Sequence, residues 1–369
     1  MLYIPAVKLF YAENSLSDYD LFLLHAIYSF VIFSVEVPSG YLADVWGRRR
    51  TIIAGMLFGV IGFSAYSLSY GFWGFLLAEL ALGIGQAFIS GSDTAILYDT
   101  LIDQRKTNDY IRYESRITGT GNFSEAMAGI VFTLLAFSSM RGYYYIQTCL
   151  SFIGFVAAWF LIEPKIHIAR NKVSLRAIIE IVRDTLWKYP QLSRYILLSS
   201  IIGFASLSMA WFAQIFLFDA GVEKANFGIF WTALNLMVTL GSFSATRIDK
   251  LFGPKYVLVF LLVFLSGGYI LAGQTISLWG IGFLMIFYFV RGTAHPIMKD
   301  RINKLTSSDV RATVLSVRSL VIRILFAVLG PLMGWLTDHI SLTYALTLCG
   351  IIILLPGIYL VTSILRSQK

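Results

Sequence analysis

Apolar runs of about 20 residues, separated by short polar segments, recur along the whole 369-residue chain. A helix of about this length crosses the hydrocarbon core of a bilayer, where only helices and closed barrels satisfy their backbone polar groups. Counting the runs predicts an all-α membrane protein with twelve transmembrane helices, here called spans 1 to 12. Their predicted bounds are 1–13, 21–42, 51–69, 72–100, 114–137, 143–162, 194–218, 226–246, 256–274, 277–294, 311–336 and 343–365. Span 1 covers only about 20 Å of helix and is too short to cross a bilayer.

The composition agrees with this interpretation. Hydrophobic residues make up 57% of the chain and charged residues 14%, against about 25% charged residues in ordinary soluble domains. The net charge of +8 could indicate nucleic-acid binding. However, most Lys and Arg residues lie in alternate loops and in the C-terminal tail, and Arg141 and Lys224 mark the opposite side. The positive-inside rule then predicts a multi-pass protein of the cytoplasmic (inner) membrane with both termini in the cytosol, and excludes nucleic acid as a partner.

The two cysteines, Cys149 and Cys349, lie in apolar segments without a second thiol or a histidine at ligand spacing. Neither a disulfide framework nor a zinc site is therefore predicted. No phosphate-binding loop of an ATPase is present, and no serine, histidine and aspartate grouping is apparent. We expect no metal, no cofactor and no enzymatic activity.

The segment between spans 2 and 3 is the most specific motif of the chain. Residues 40–50 read G-Y-L-A-D-V-W-G-R-R-R. Gly40 permits two backbones to approach closely, Asp44 can accept hydrogen bonds from a helix N-terminus, and Arg48 and its neighbours stay in the cytosol. Together with Gly47, this G-x-L-x-D-x-x-G-R-R spacing resembles the loop between helices 2 and 3 of bacterial transporters of the major facilitator superfamily.

This resemblance implies two six-helix bundles, related as pseudo-repeats, that alternate access around a site near the bilayer midplane. The predicted bundles are residues 1–163 and 194–369, joined by a cytoplasmic linker of residues 164–193. Apolar residues at helical spacing in the linker predict an amphipathic helix, which acts either as a lever or as a plain tether. A degraded copy of the motif, with Asp249 and Gly253, lies about 205 residues after the first, as a repeat requires. The resemblance also implies that a turn or two of span 1 is missing.

Charged residues inside a bilayer cost roughly 2.5–3.5 kcal/mol each, so each one requires a partner or a water-filled cavity. Glu36 and Arg318 lie about 10 Å inside the cytoplasmic ends of spans 2 and 11. We expect them to form a latch that closes the cytoplasmic side, with Asp44 near the start of span 11. Asp99 on span 4 would add to the latch through Arg48. The alternative is that these side chains extend separately to water.

Three carboxylates are candidates for proton coupling. Glu79 stands where a segment of span 4, which otherwise resembles the family's R-x-x-x-G-x-G-x-A, should have arginine. Lys8 on span 1 lies at a similar depth, so we predict a swapped Lys8–Glu79 pair. Glu125 lies near the bilayer centre with Asn122 on the same helix face, and it either carries a proton or makes a satisfied polar contact. Asp93 is the third candidate.

Further residues are candidates for the substrate cavity. Arg323, deep in span 11, either binds an anionic substrate group or caps backbone carbonyls. The remaining cavity candidates are Lys8, Gln86, Asn122, Trp211, Gln214, Asn235 and Tyr288. Small-residue packing explains Gly330 and Gly334 of span 11, and His295-Pro296 is expected to begin a cytoplasmic loop.

The sequence therefore predicts a monomeric secondary transporter, embedded in the lipid bilayer, that exports a small organic solute with proton coupling. One alternative is an importer or facilitator of an organic anion, suggested by Lys8 and Arg323. A second alternative is a non-transporting membrane sensor or scaffold. Costly intramembrane charges argue against a scaffold, and the lack of large loop domains argues against a sensor.

Overall fold

The computed structural model of the chain describes residues 1–90, 92–106, 109–135, 139–164, 183, 187–306 and 311–367. Within these ranges the chain is almost entirely α-helical and contains no strand. This confirms the predicted all-α class. The linker residues that predict an amphipathic helix lie outside the described ranges.

The helices of the N-terminal part begin after a short 3-10 helix at Ile4–Ala6. They are α1 (Val7–Glu13), α2 (Asp18–Trp46), α3 (Arg48–Leu68), α4 (Gly71–Ser90), α5 (Asp93–Asp103), α6 (Tyr110–Leu135) and α7 (Arg141–Ala158). The helices of the C-terminal part are α8 (Pro190–Asp219), α9 (Phe227–Gln274), α10 (Ile281–Lys304), α11 (Arg311–His339) and α12 (Leu342–Ser367).

Eight helical stretches in the described part of the chain are long and apolar enough to cross a membrane. One of them, Lys224–Gln274, has 51 residues and contains predicted spans 8 and 9 together. Another, Gly71–Asp103, corresponds to span 4 and includes both α4 and α5. A shorter apolar helix at Phe123–Leu135 belongs to span 5.

The helix at span 4 is interrupted, contrary to the predicted single helix 72–100. Ser92 has left the helix, so α4 ends at Ser90 and α5 begins at Asp93. The physical reason is local. The backbone N–H of Ser92 donates to the carbonyl of Ile89, three residues back, at 2.9 Å, which is the tighter turn of a 3-10 helix, and Asp93 in the first turn of α5 favours a new start by opposing the helix dipole.

The loop predicted at His295-Pro296 is wrong. Both residues lie inside α10, which continues to Lys304. A proline inside a helix removes one backbone hydrogen bond, but helices packed in a bundle tolerate it because neighbouring groups satisfy the freed carbonyl. Span 10 is therefore longer than predicted, and its last turns carry basic residues.

The hinges at the two motif copies are shorter than predicted. Helix α2 continues to Trp46, and only Gly47, with φ 98° and ψ 149°, separates it from α3. In the second copy, the predicted loop 247–255 is helical except for Gly253, with φ 71° and ψ 169°. Positive φ values of this kind strongly favour glycine, which has no Cβ. Both copies therefore turn the chain at one glycine.

The chain divides into two compact units. The first comprises Met1–Leu16 and Leu24–Leu175, and the second comprises Ser17–Leu23 and Arg176–Lys369. In the first unit, buried rings surround Tyr66: Phe10, Tyr11, Phe75 and Tyr144 have ring centroids 5.0–6.4 Å from it. The second unit has its own aromatic core, in which Tyr269 lies 6.1 Å from Phe212 and 5.3 Å from Phe287.

Candidate functional site

The first motif copy is held in place by two acids from elsewhere in the first unit. Arg48 Nε donates a hydrogen bond to Asp99 Oδ2 at 2.6 Å, and both side chains are almost buried. Glu163 accepts the backbone N–H groups of Arg48 and Arg49, each at 2.8 Å. These N–H groups begin α3 and have no helical partners, so a carboxylate there satisfies them and opposes the positive end of the helix dipole. The predicted contact between Asp99 and Arg48 is thus present, whereas sequence reasoning missed the role of Glu163.

The second motif copy also carries an ion pair, but with the partners placed differently. Asp249 on α9 accepts a hydrogen bond from Arg301 Nη2 on α10 at 2.5 Å. On the same helix turn as Arg301, Asp300 pairs with Lys304 at 2.7 Å. In this copy the acid lies about one helical turn before Gly253, and the arginine comes from another helix. The degraded sequence therefore still places an ion pair beside its turn.

Glu79 lies at the centre of a buried polar cluster in the first unit. Only 4% of its surface is exposed, the lowest value among the described acidic residues. Tyr66 Oη donates a hydrogen bond to Glu79 Oε1 at 2.5 Å, and the hydroxyls of Tyr66 and Tyr11 are 2.7 Å apart. His25 Nε2 lies 3.7 Å from the same carboxylate oxygen. Four helices, α1 to α4, thus bring one side chain each to what we call the Glu79 cluster: Tyr11, His25, Tyr66 and Glu79.

The Glu79 cluster can exchange protons. A carboxyl group and an imidazole can each hold or release one. The tyrosine hydroxyls can each donate and accept a hydrogen bond, so they can follow a change of protonation without moving. Lys8 is also buried in this unit, with 8% of its surface exposed. The Lys8–Glu79 pair itself stays a prediction.

Sequence reasoning identified Glu79 but missed His25, Tyr66 and Tyr11. One signal was available, because His25 is an ionisable residue inside predicted span 2, and such residues are rare without a function. The tyrosines gave no signal, since aromatic residues are common in membrane helices. Only the packing of four helices brings these hydroxyls to the carboxylate.

Arg141 caps the end of α3 beside the Glu79 cluster. Its Nη1 donates to the carbonyls of Tyr66, Ser67 and Ser69 at 2.9–3.1 Å, and its Nη2 donates to Asn14 Oδ1 at 2.7 Å. Carbonyls at a helix end lack helical partners, so a buried guanidinium satisfies several of them together. A capping role of this kind is one of the two alternatives stated for Arg323. The sequence indicates Arg141 only as a marker of topology.

The two arginines predicted in span 11 are half-buried on α11. Arg318 Nε donates to Ser199 Oγ of α8 at 2.5 Å, within the second unit. Glu36 is half-buried on α2. The Glu36–Arg318 latch stays a prediction, and the side chain of Asp44 lies outside the described part of the structure.

The other candidate residues are spread over several helices. Asp93 is exposed in the first turn of α5, and Glu125 is half-buried on α6. Asn235 donates a hydrogen bond to the carbonyl of Trp231 in its own helix at 2.9 Å. Of the remaining cavity candidates, Gln86 and Trp211 are half-buried, and Gln214 and Tyr288 are buried. The side chain of Asn122 is outside the described part, and Gly40 is half-buried in α2.

Comparison with solved structures shows similarity to transporters over nearly the whole chain. A point mutant of the nucleoside transporter NupG matches with a TM-score of 0.79 and 15% identity, covering 99% of this chain and 95% of the other. A D-xylose-proton symporter matches with a TM-score of 0.74 and 14% identity, covering 97% and 91%. A bacterial homologue of the human lysosomal transporter Spinster matches with a TM-score of 0.73 and 16% identity, covering 99% and 94%. At such identities the similarity shows the fold alone.

No curated protein matches the sequence. The sequence does match the profile of the Major Facilitator Superfamily over residues 1–326, which is most of the chain. The fold, the two motif copies and the structural neighbours agree with that match, and they indicate a transporter rather than an enzyme. The chain therefore belongs to the Major Facilitator Superfamily.

Proposed function

We propose that this transporter moves a small organic solute by alternating access and couples that movement to protons, with Glu79 as the proton carrier. The observation that carries the proposal is the Glu79 cluster. It holds the least exposed acid of the described chain against a tyrosine hydroxyl at 2.5 Å and an imidazole at 3.7 Å. Buried ionisable groups in a membrane bundle are typical of proton relays.

The physical argument is one of charge. A carboxylate buried among aromatic rings is costly when ionised and uncompensated, whereas the protonated form can be buried more easily. Binding or release of a proton at Glu79 therefore changes the free energy of any state that buries the Glu79 cluster. A transporter that buries Glu79 to different degrees in its two access states would couple proton transfer to the conformational change.

Export is the proposed direction, on resemblance to the family. The distribution of positive residues favours an inner membrane with both termini in the cytosol. Uptake of an organic anion is the second candidate. It is supported by Lys8, a cation with 8% exposure in the first unit, and by the proton symport named for one structural neighbour. The two directions require opposite responses to an imposed proton gradient.

The test begins with a thermal-shift screen of the purified protein against metabolites and drugs, because a ligand at 100 times its dissociation constant stabilises by about 2.7 kcal/mol. A solute that stabilises the protein is then followed in proteoliposomes in two ways. Counterflow exchange at equal pH on both sides measures solute movement alone. Accumulation against a gradient, driven by a pH difference, measures coupling.

We expect Glu79→Gln to retain counterflow and to lose accumulation, since the amide preserves size but cannot carry the proton. Glu223→Gln, an exposed acid outside the helices, is the matched control and should retain both. Glu125→Gln tests the competing carrier. Accumulation that survives Glu79→Gln, or that fails only in Glu125→Gln, would contradict the assignment. The sign of the pH gradient that drives accumulation decides between export and uptake.

A further inference from the structure

Three basic residues of α10 lie in one row along the helix. Arg291, His295 and Lys299 follow each other at intervals of four residues, so they share a face and extend over about 12 Å. We call these three residues the basic row. His295 and Lys299 are exposed and Arg291 is half-buried, whereas the intervening residues Gly292, Thr293, Ala294, Ile297 and Met298 are buried. The basic row is thus the face that α10 presents away from its packed neighbours.

A positive charge on another helix acts on the basic row. The Arg318 guanidinium of α11 acts electrostatically on His295, as do Lys299 and Arg291. The Arg318 guanidinium is held in position by α8, because its Nε donates a hydrogen bond to Ser199 Oγ at 2.5 Å. Arg291 is placed over the ring of buried Tyr288, at 5.2 Å from its centroid. Arg291 and Arg318, two of the three permanent cations here, are therefore oriented by the packed core of the second unit.

The acids near this surface are engaged elsewhere. Asp249 is bonded to Arg301, and Asp300 lies between Lys304 and Arg301 at 2.7 and 3.8 Å. Within the described residues of the second unit, no carboxylate is paired with the basic row or with Arg318. Lipid tails cannot compensate these charges, because an Arg or Lys in hydrocarbon costs roughly 2.5–3.5 kcal/mol. The face therefore has to meet water, where an anion can reach it.

We propose that the basic row and Arg318 form the site where an anionic group of the solute, a carboxylate or a phosphate, binds before it is transported. This inference rests on the proposed transport function and specifies its substrate class. Arginine can bind such a group through two parallel hydrogen bonds, and lysine adds a point charge. The site lies in the half of α10 that ends in Arg301 and Lys304, on the predicted cytoplasmic side. A solute that enters from the cytosol for export would therefore reach it first.

Binding is measured without transport, so that failure of this inference and failure of proton coupling remain distinguishable. The purified full-length protein is placed in nanodiscs of neutral phosphatidylcholine, and its thermal unfolding is followed with increasing citrate or inorganic phosphate at constant ionic strength. We expect saturable stabilisation by at least one of the two anions. Lys299→Gln changes an exposed side chain and should fold, and it should weaken the apparent affinity by about tenfold, the usual effect of losing one charged hydrogen bond.

Arg366→Gln is the matched control, because it removes an exposed positive charge at the end of α12. It should leave the apparent affinity unchanged. An equal loss in Arg366→Gln, or no saturable stabilisation by either anion, would overturn the proposal in favour of a basic face that serves only topology. A second arm uses nanodiscs with added phosphatidylglycerol. Stabilisation by that lipid alone, lost in Lys299→Gln and absent with citrate and phosphate, would assign the face to a lipid headgroup and likewise overturn the proposal.

Discussion

The carboxylate of Asp338 accepts the backbone N–H of Tyr19 at 2.8 Å, which joins the last turn of α11 to the first turn of α2 within the second unit. The neighbouring N–H of Asp18 donates to the other carboxylate oxygen at 3.1 Å. These groups begin a helix and lack helical partners, so the acid both satisfies them and opposes the helix dipole. Asp338 thus caps a helix that lies 320 residues away in sequence.

We expect Asp338→Ala to lower the stability of the second unit by about 0.5–1 kcal/mol, since both groups are partly exposed to solvent. The measurement is the thermal unfolding midpoint of the purified protein at low salt. High salt should reduce the difference, because it screens the charge. An unchanged midpoint at low salt would show that water replaces the carboxylate without cost.

The same helix pair makes a tighter contact at Gly334. A Cβ at this position would lie 2.9 Å from the carbonyl oxygen of Asp18 and 2.9 Å from Phe22 Cβ. We therefore expect Gly334→Ala to destabilise the protein by about 1–3 kcal/mol, as overpacking does. Gly267→Ala is the control, because a Cβ there meets nothing within 4 Å. Equal midpoints for the two variants would mean that α2 and α11 separate easily at this point.

Arg48 and Asp99 form an almost buried ion pair, with 10% and 13% of their side chains exposed. Removing either partner breaks a charge-assisted hydrogen bond in a poorly solvated site, so Arg48→Gln and Asp99→Asn should each cost about 3 kcal/mol. The double variant should cost clearly less than the sum of the two. Unfolding measurements on all four proteins give the coupling free energy. Additive losses would indicate that the two side chains contribute independently.

The pH dependence of transport should depend on Tyr66. Tyr66→Phe removes the 2.5 Å hydrogen bond to Glu79 and retains the ring, so the pH at half-maximal accumulation should shift. Tyr144→Phe is the matched control, since it lies in the same aromatic cluster and its hydroxyl has no hydrogen-bond partner among the described residues. The readout is the initial rate of accumulation across a pH series. Identical profiles for the two variants would exclude a role of the Tyr66 hydroxyl in proton coupling.

Much of the fold could be predicted from the sequence, because the bilayer imposes a length on each helix and the positive-inside rule imposes an order. The resemblance of residues 40–50 identified the family, and it indicated the contact between Arg48 and Asp99. Helix ends were harder to predict. The interruption at Ser92 and the continuation through Pro296 depend on which backbone groups find partners in the bundle, and an apolar pattern does not report that.

The candidate site could be predicted only in part. Glu79 could be identified as a candidate because a carboxylate in a membrane helix is costly. Its contacts with Tyr66 and His25 join residues from three helices, and helical periodicity shows which face a residue lies on but not which helix that face meets. The row of Arg291, His295 and Lys299 could not be predicted, because a loop was expected to begin at residue 295. Once α10 is continuous, the spacing of the three residues places them on one face.

The contact between Glu163 and the first turn of α3 also has a consequence for biosynthesis. The acid follows Arg48 by 115 residues, and chains are synthesised at roughly 5–20 residues per second. For several seconds after α3 has left the ribosome, its first amides must be hydrated or held by lipid headgroups. They receive their native partner only when the segment that follows α7 emerges. The first unit therefore completes this contact late, just before most of the second unit is synthesised. A nascent chain stalled before residue 163 should be the form most exposed to proteolysis.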